Sequence, residues 1–276
     1  MLNQNRVTML KTDLFKWILL ILSSLVLLFI LAPLGGMFLH TEGAELLETI
    51  SDEDVQQSIW LTLRVSFAAT LLFAVGAIPL AWLLARKNFP FKNIVQGIID
   101  LPVVLPHTAA GIAVLGFISR DGFLGKAADS IGLTFVNKPS GIALAMAFVS
   151  LPFLINSARD GFAAVPERLE KAALSLGAGT PRVFFTISLP LAWRSIVTGF
   201  VMMFARGMSE FGAVVIIAYH PMIAPVLIYD RFTSFGLKYA RPASVIFLIV
   251  ALAVFILLRL ITLRKKEIPV TKDAET

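Results

Sequence analysis

Apolar positions in this chain come in long blocks rather than in stripes. Residues 17–39 carry no charge over 23 positions, residues 65–85 none over 21, and residues 101–119 and 140–158 none over 19 each. A hydrocarbon core needs about 20 apolar residues in helix, so each block is long enough to span a membrane. A fifth region, 195–219, has the length but is interrupted by Arg206 and Glu210, and a sixth, 242–258, has 17 uncharged residues and extends past Arg259 to Leu263. None of the blocks alternates as barrel strands do. The pattern predicts an all-α, polytopic integral membrane protein with six transmembrane helices, at 17–39, 60–85, 99–119, 140–159, 191–219 and 242–263. The whole chain, 1–276, reads as a single transmembrane domain. The first block is too long for a signal-peptide core and no A-x-A pattern follows it, so it is expected to stay as the first span.

Composition narrows the class. With 57% hydrophobic and 15% charged residues and a mean hydropathy of +0.83, the chain falls well short of the roughly 25% charge of soluble domains. That excludes a soluble enzyme, a disordered chain and a free nucleic-acid binder. The net charge of +6 is then a property of loops, and its placement gives orientation. With six spans, one side collects Arg6, Lys11, Lys16, Arg86, Lys87, Lys92, Arg159, Arg168, Lys171, Arg182, Arg194, Arg259, Arg264, Lys265, Lys266 and Lys272. Lys126, Lys138, Arg231, Lys238 and Arg241 fall opposite, where the first loop is rich in acids from Glu42 to Asp54. Positive charge stays inside, so both termini are expected in the cytoplasm of a cell-membrane protein. All four Trp residues fall near span ends, where amphipathic rings favour the interface.

The loops leave no room for a nucleotide-binding or hydrolase domain, and there is no Walker lysine loop, H-E-x-x-H or G-x-S-x-G. Without cysteines, thiolate metal sites and disulfides are excluded. No catalytic and no metal-binding residue is expected, and energy must come from another polypeptide or an ion gradient.

The longest loop on the basic side, 160–190, has helix punctuation unusual for a connector. Pro166 suits a first helical position, with Glu167 and Glu170 in the first turn where the dipole favours acids. Leu169, Ala172, Ala173 and Leu176 follow at i, i+3, i+4 and i+7, a narrow apolar stripe. Gly177 stops the helix. Thr180 as N-cap and Pro181 at the first position open a second short helix through Val183 and Ile187, with Pro190 at the entry to the fifth span. Two alanines in the stripe let another surface approach closely, so the module reads as a docking knob. An amphipathic hairpin lying on lipid headgroups fits the same residues.

The stretch EKAALSLGAGTPRVFFTISLP, from Glu170 to Pro190, resembles the EAA loop of ATP-binding-cassette importer permeases, in Ala172, Ala173, Gly177, Ile187, Leu189 and Pro190. The residue before Ala172, usually glutamate in that loop, is Lys171 here, with the acid at Glu170. FARGMSEFGAVVIIAYHPMIAPVLIYDRF, from Phe204 to Phe232, and DLPVVLPHTAAGIAVL, from Asp100 to Leu115, are similar to molybdate and tungstate importer permeases, especially archaeal ones. Sulfate permeases share much of this pattern. The resemblance implies a permease subunit that pairs with a second copy of itself in the lipid bilayer, with two ATPase subunits beneath and an extracytoplasmic oxyanion-binding protein outside. ATP and Mg would be bound by the ATPase, so this chain would need no cofactor. Glu167, Glu170, Lys171, Ala172, Ala173, Gly177, Pro181 and Arg182 would then meet the ATPase.

Inside the spans, Arg206 and Glu210 are spaced i, i+4 and can neutralise each other. They read either as a pathway or gate element or as a buried ion pair that fixes helix packing. Pro102 and Pro106 can bend the third span, opening a cavity or only a packing kink. His107 has no ligand partner at metal-binding spacing in the sequence. Asp100 is expected to cap a helix N-terminus, and Arg64, four residues after Trp60, to snorkel. An ion-coupled secondary transporter, the rival reading, would require membrane carboxylates as ion relays, and Glu210 is the one interior acid.

Overall fold

The computed structural model describes the backbone of residues 2–263 and the side chains of residues 15–260. Arg6, Lys11, Arg264, Lys265, Lys266 and Lys272, counted above for orientation, lie outside the described side chains. The elements are α1 (Leu2–Leu39), α2 (Gly43–Ser51), α3 (Glu53–Arg86), α4 (Lys92–Val104), α5 (His107–Ile118), α6 (Phe123–Asp129) and α7 (Pro139–Ala164). Then follow α8 (Glu167–Ser175), α9 (Thr180–Val183), a π turn (Phe184–Ser188), α10 (Leu189–Met208), α11 (Gly212–Ile217), α12 (Ala224–Phe235) and α13 (Leu237–Leu263). The described residues contain no strand.

The middle of the fold is α7, flanked by α3 and α10. Its span is 61% buried, whereas none of the apolar window of α1 is. The sequence reason is side-chain size. Without a hydrophobic drive between helices in lipid, close backbone approach by small residues supplies the packing, and α7 offers Gly141, Ala145, Ala147, Ser150, Ala158 and Gly161 among its buried positions. On α10, a Cβ at Gly199 would stand 3.1 Å from the Leu154 Cα. The α1 helix instead presents leucine, isoleucine and phenylalanine on all sides, as a lipid-facing span does.

Two predicted spans are built differently from their sequence reading. The third is two helices: α4 and α5 meet at 114° across Leu105 and Pro106. Proline disfavours helical backbone in the residue before it, and Leu105 is extended (φ −67°, ψ 139°). Among the described residues, five helices are therefore long and apolar enough to span singly, or six if the bent pair counts as one span. The fifth begins earlier and ends earlier than 191–219, running unbroken from Thr180 to Met208. Pro190 lies in the first turn of α10, where proline is tolerated, but the longer run starts ten residues earlier and reaches it through the π turn Phe184–Ser188. The chain breaks at Ser209–Phe211 and resumes as the short α11. In addition, the α5–α7 connection carries Arg120 besides Lys126 and Lys138, a base missing from the count above.

The face bearing α2 is closed by charged clasps. Asp52 caps α3, its Oδ1 accepting from the N–H groups of Asp54 at 2.9 Å and Val55 at 3.2 Å. Its Oδ2 accepts from Arg231 at 2.6 Å, and Arg241 donates to the His40 carbonyl at 2.6 Å. Burial disfavours the Asp52 charge, but the Arg231 hydrogen bond, the Val55 N–H, the Arg231 charge and the Asp54 N–H outweigh it and hold the carboxyl below its ordinary value of 3.8. A group with a lowered folded pKa stabilises above its unfolded pKa, and that contribution vanishes as pH falls through the folded value. Asp52→Asn is therefore expected to lower the melting temperature by a few degrees at pH 7. The difference from wild type should close only well below pH 3.8. Thermal unfolding of both proteins in detergent across that range checks it.

Candidate functional site

The 160–190 loop folds into a compact elbow. Pro166 is the N-cap of α8 and Glu167 its first residue, one position later than the sequence reading. The helix ends as glycine ends helices. Gly177 sits at φ +87°, its N–H donates to the Leu174 carbonyl at 3.0 Å, and the Ala178 N–H donates to Ala173 at 3.0 Å. The next N-cap is Gly179, with Thr180 already helical and Pro181 in the first turn.

The α8 stripe does not pack into the chain. Leu176 is 89% exposed; Leu169 and Ala172 are also exposed, and Ala173 is half-buried. Around this face stand Pro181 and Arg182, both exposed, and the surface pair Glu167–Lys171 at 2.8 Å. Lys171, through its hydrogen bond and then its charge, holds the Glu167 carboxyl below the ordinary range.

Glu170 departs from the exposed role read for it. It is 7% exposed and points into the protein. Arg86, the last residue of α3, donates to both its oxygens at 2.9 to 3.0 Å, and the Ser188 hydroxyl donates to Oε1 at 2.7 Å. The same guanidinium donates to the Val165 carbonyl at 2.8 Å. Sequence spacing could not find this pairing, because Arg86 and Glu170 are 84 residues apart.

A second cluster forms where both irregular spans break. Arg206 Nη2 and Glu210 Oε2 are 3.0 Å apart, and Glu210 is 1% exposed. Glu210 lies beyond the end of α10, and its Oε1 accepts from the Ala213 N–H at 2.9 Å, so it also caps α11. His107, the first residue of α5, comes within 3.3 Å of Glu210 and 3.0 Å of Arg206. The fold thus supplies the carboxylate neighbour that His107 lacks in sequence. Gly212 makes the approach feasible, since a Cβ there would stand 2.6 Å from the His107 Cβ. Pro106, exposed, is the N-cap of α5, whereas Pro102 is buried within α4. Pro106 and Ser209 at the two breaks are exposed on this chain, and irregular backbone at membrane depth is tolerated only against protein or a water-filled cavity.

A groove of about 620 Å³ is lined by Asp100, Val104, Asn156, Ser157, Ser195 and Met202. Asp100 does not cap a helix start. It lies inside α4 and accepts from Asn156 at 2.6 Å. Arg64 lays its guanidinium 4.7 Å from the Trp60 ring centroid, a cation–π contact.

Residues 77–264 match the family described as the binding-protein-dependent transport system inner membrane component. The chain is 39% identical over 246 residues to the molybdate/tungstate transport system permease protein WtpB of Thermococcus kodakarensis, covering 88% of this chain and 94% of the relative. It is 41% identical over 240 residues to the protein of the same name from Pyrococcus abyssi, covering 86% and 92%. Among solved structures, a bacterial ABC transporter involved in the import of the acidic polysaccharide alginate shares the fold with a TM-score of 0.74 at 18% identity, over 93% of this chain and 98% of the other.

Proposed function

The chain belongs to the family of binding-protein-dependent transport inner membrane components, and from that membership we propose that it is the permease subunit of an ATP-driven importer of molybdate and tungstate. Two copies enclose a central pathway, an ATPase subunit seats on each α8–α9 elbow, and an oxyanion-binding protein docks on the face bearing α2. ATP and Mg bind to the ATPase, and this chain catalyses no reaction. The single observation that carries the reading is the elbow itself: a short helix whose apolar, alanine-bearing stripe is left open to a partner. The substrate assignment draws on the names of the relatives above.

Both termini are cytoplasmic in this proposal, on the side of the elbow, and the distribution of Lys and Arg supports that orientation. Glu167, Lys171, Ala172, Ala173, Gly177, Pro181 and Arg182 form the ATPase seat. The Arg206–Glu210–His107 cluster, with Pro106, lines the pathway between the two copies. An arginine neutralised by a glutamate is a weak anion trap, which suits an importer that leaves selection to its receptor and must release what it carries.

Uptake of radiolabelled molybdate into proteoliposomes tests the reading. Transport is expected only when permease, ATPase, receptor and ATP are all present, with tungstate competing. Equal competition by sulfate would widen the substrate class to oxyanions in general. Uptake driven by an ion gradient without the ATPase would overturn the proposal.

A further inference from the structure

We propose that Arg86 is a positioning residue that fastens the elbow to the three central spans, so that displacement of α8 reaches α3, α7 and α10 together. The inference rests on reading α8–α9 as the ATPase seat. Four segments converge on two side chains. Arg86 ends α3, and Glu170 lies in the first turns of α8. Val165, whose carbonyl accepts from Arg86, is the C-cap of α7, and Ser188, which donates to Glu170, closes the π turn that leads into α10. The Arg86 and Glu170 side chains are only 7% and 9% exposed.

The chemistry favours a rigid joint. A forked arginine–carboxylate contact fixes direction as well as distance. Charges this far out of water hold one geometry because removing either partner leaves the other stranded. Among the described residues no ion pair holds α8 beyond Lys171, and there Ala172, Leu174, Ser175, Leu176 and Gly177 are exposed and Ala173 half-buried. Helix α8 is thus pinned near its start and exposed at its end, while α9 runs on into α10. Leu176 lies six residues from Glu170, a lever of about 9 Å at helical rise. Without the joint, the same push would be absorbed by rotation about the linkers at Val165–Pro166 and Gly177–Gly179. The π turn, a widened segment of the kind frequent at functional sites, would lose its tie through Ser188.

The test uses the complete transporter in proteoliposomes and reads oxyanion imported per ATP hydrolysed. Glu170→Gln and Arg86→Met are expected to lower that ratio at least tenfold, with the ATPase still co-purifying in full amount. Arg86→Lys, which keeps the charge but not the fork, should recover part of the ratio lost in Arg86→Met. Ser188→Ala, which removes one hydrogen bond and no charge, keeps the question answerable if the charge variants do not fold; a fall of about two- to tenfold is expected. A purely structural role would lower import and hydrolysis in parallel with their ratio unchanged, and that overturns the proposal. Loss of the ATPase from the Glu170→Gln complex also overturns it, by making Glu170 a docking contact, while leaving the elbow as the seat. The seat itself fails separately, if Leu176→Arg on the exposed stripe retains the ATPase in full.

Discussion

Gly177→Leu is expected to cut ATP-driven import at least tenfold and to release the ATPase from the purified complex. The cause is backbone first. Gly177 sits at φ +87°, a conformation that costs an L-residue roughly 1–2 kcal/mol, and the two hydrogen bonds that end α8 depend on it. A Cβ there would meet nothing within 4 Å, so the chain's own packing does not object. The damage falls on the path from α8 to α9 and on whatever seats against them. Gly177→Asn separates the two contributions, because asparagine accepts the left-handed region far better than leucine. It should retain most import if backbone geometry dominates. Measuring import and ATPase co-purification for both variants checks this, and equal loss in both would point to bulk at the interface instead.

Removing one member of the Arg206–Glu210 pair is expected to do more harm than removing both. Glu210 is 1% exposed and shares its Oε2 with Arg206 at 3.0 Å. Arg206→Met leaves that carboxylate facing only His107 and the Ala213 N–H, and breaking a buried pair in this way costs about 3–5 kcal/mol. The double variant Arg206→Met/Glu210→Gln removes both charges, and its glutamine oxygen can still accept from Ala213. It should recover most of the loss in thermal stability in detergent, where the single variant melts lowest. Equal destabilisation by the single and double variants would mean that the two residues act separately.

The parts of this fold that were legible in sequence are those set by local chemistry. Uncharged blocks marked the spans because charges facing lipid over that length are costly. Gly177 and Pro181 marked the elbow because few other residues fit a helix stop and a helix start. The boundaries shifted by one where proline could serve as either cap or first residue, as at Pro166. What stayed hidden depends on distance in sequence. Arg86 looked like one of many loop bases, and Glu170 like a first-turn acid, until the fold made them partners. The fifth span was misplaced because its longest apolar stretch includes α11, which is a separate short helix. Glu210 divides the two by capping α11 rather than continuing α10. Pro106 signalled a bend, but not that the bend would bring His107 against Glu210.

The central claim is that motion enters this subunit through the α8–α9 elbow, held by a separate ATPase. The chain has no cysteine, so Leu176→Cys provides a single attachment point on this subunit at an 89% exposed residue of the stripe, for a short cross-linker in the assembled transporter. The account predicts a specific cross-link to the ATPase subunit, loss of import once it forms, and recovery when a cleavable linker is cut. Failure to cross-link in any nucleotide state, while ATP-driven import proceeds at the full rate, would contradict it.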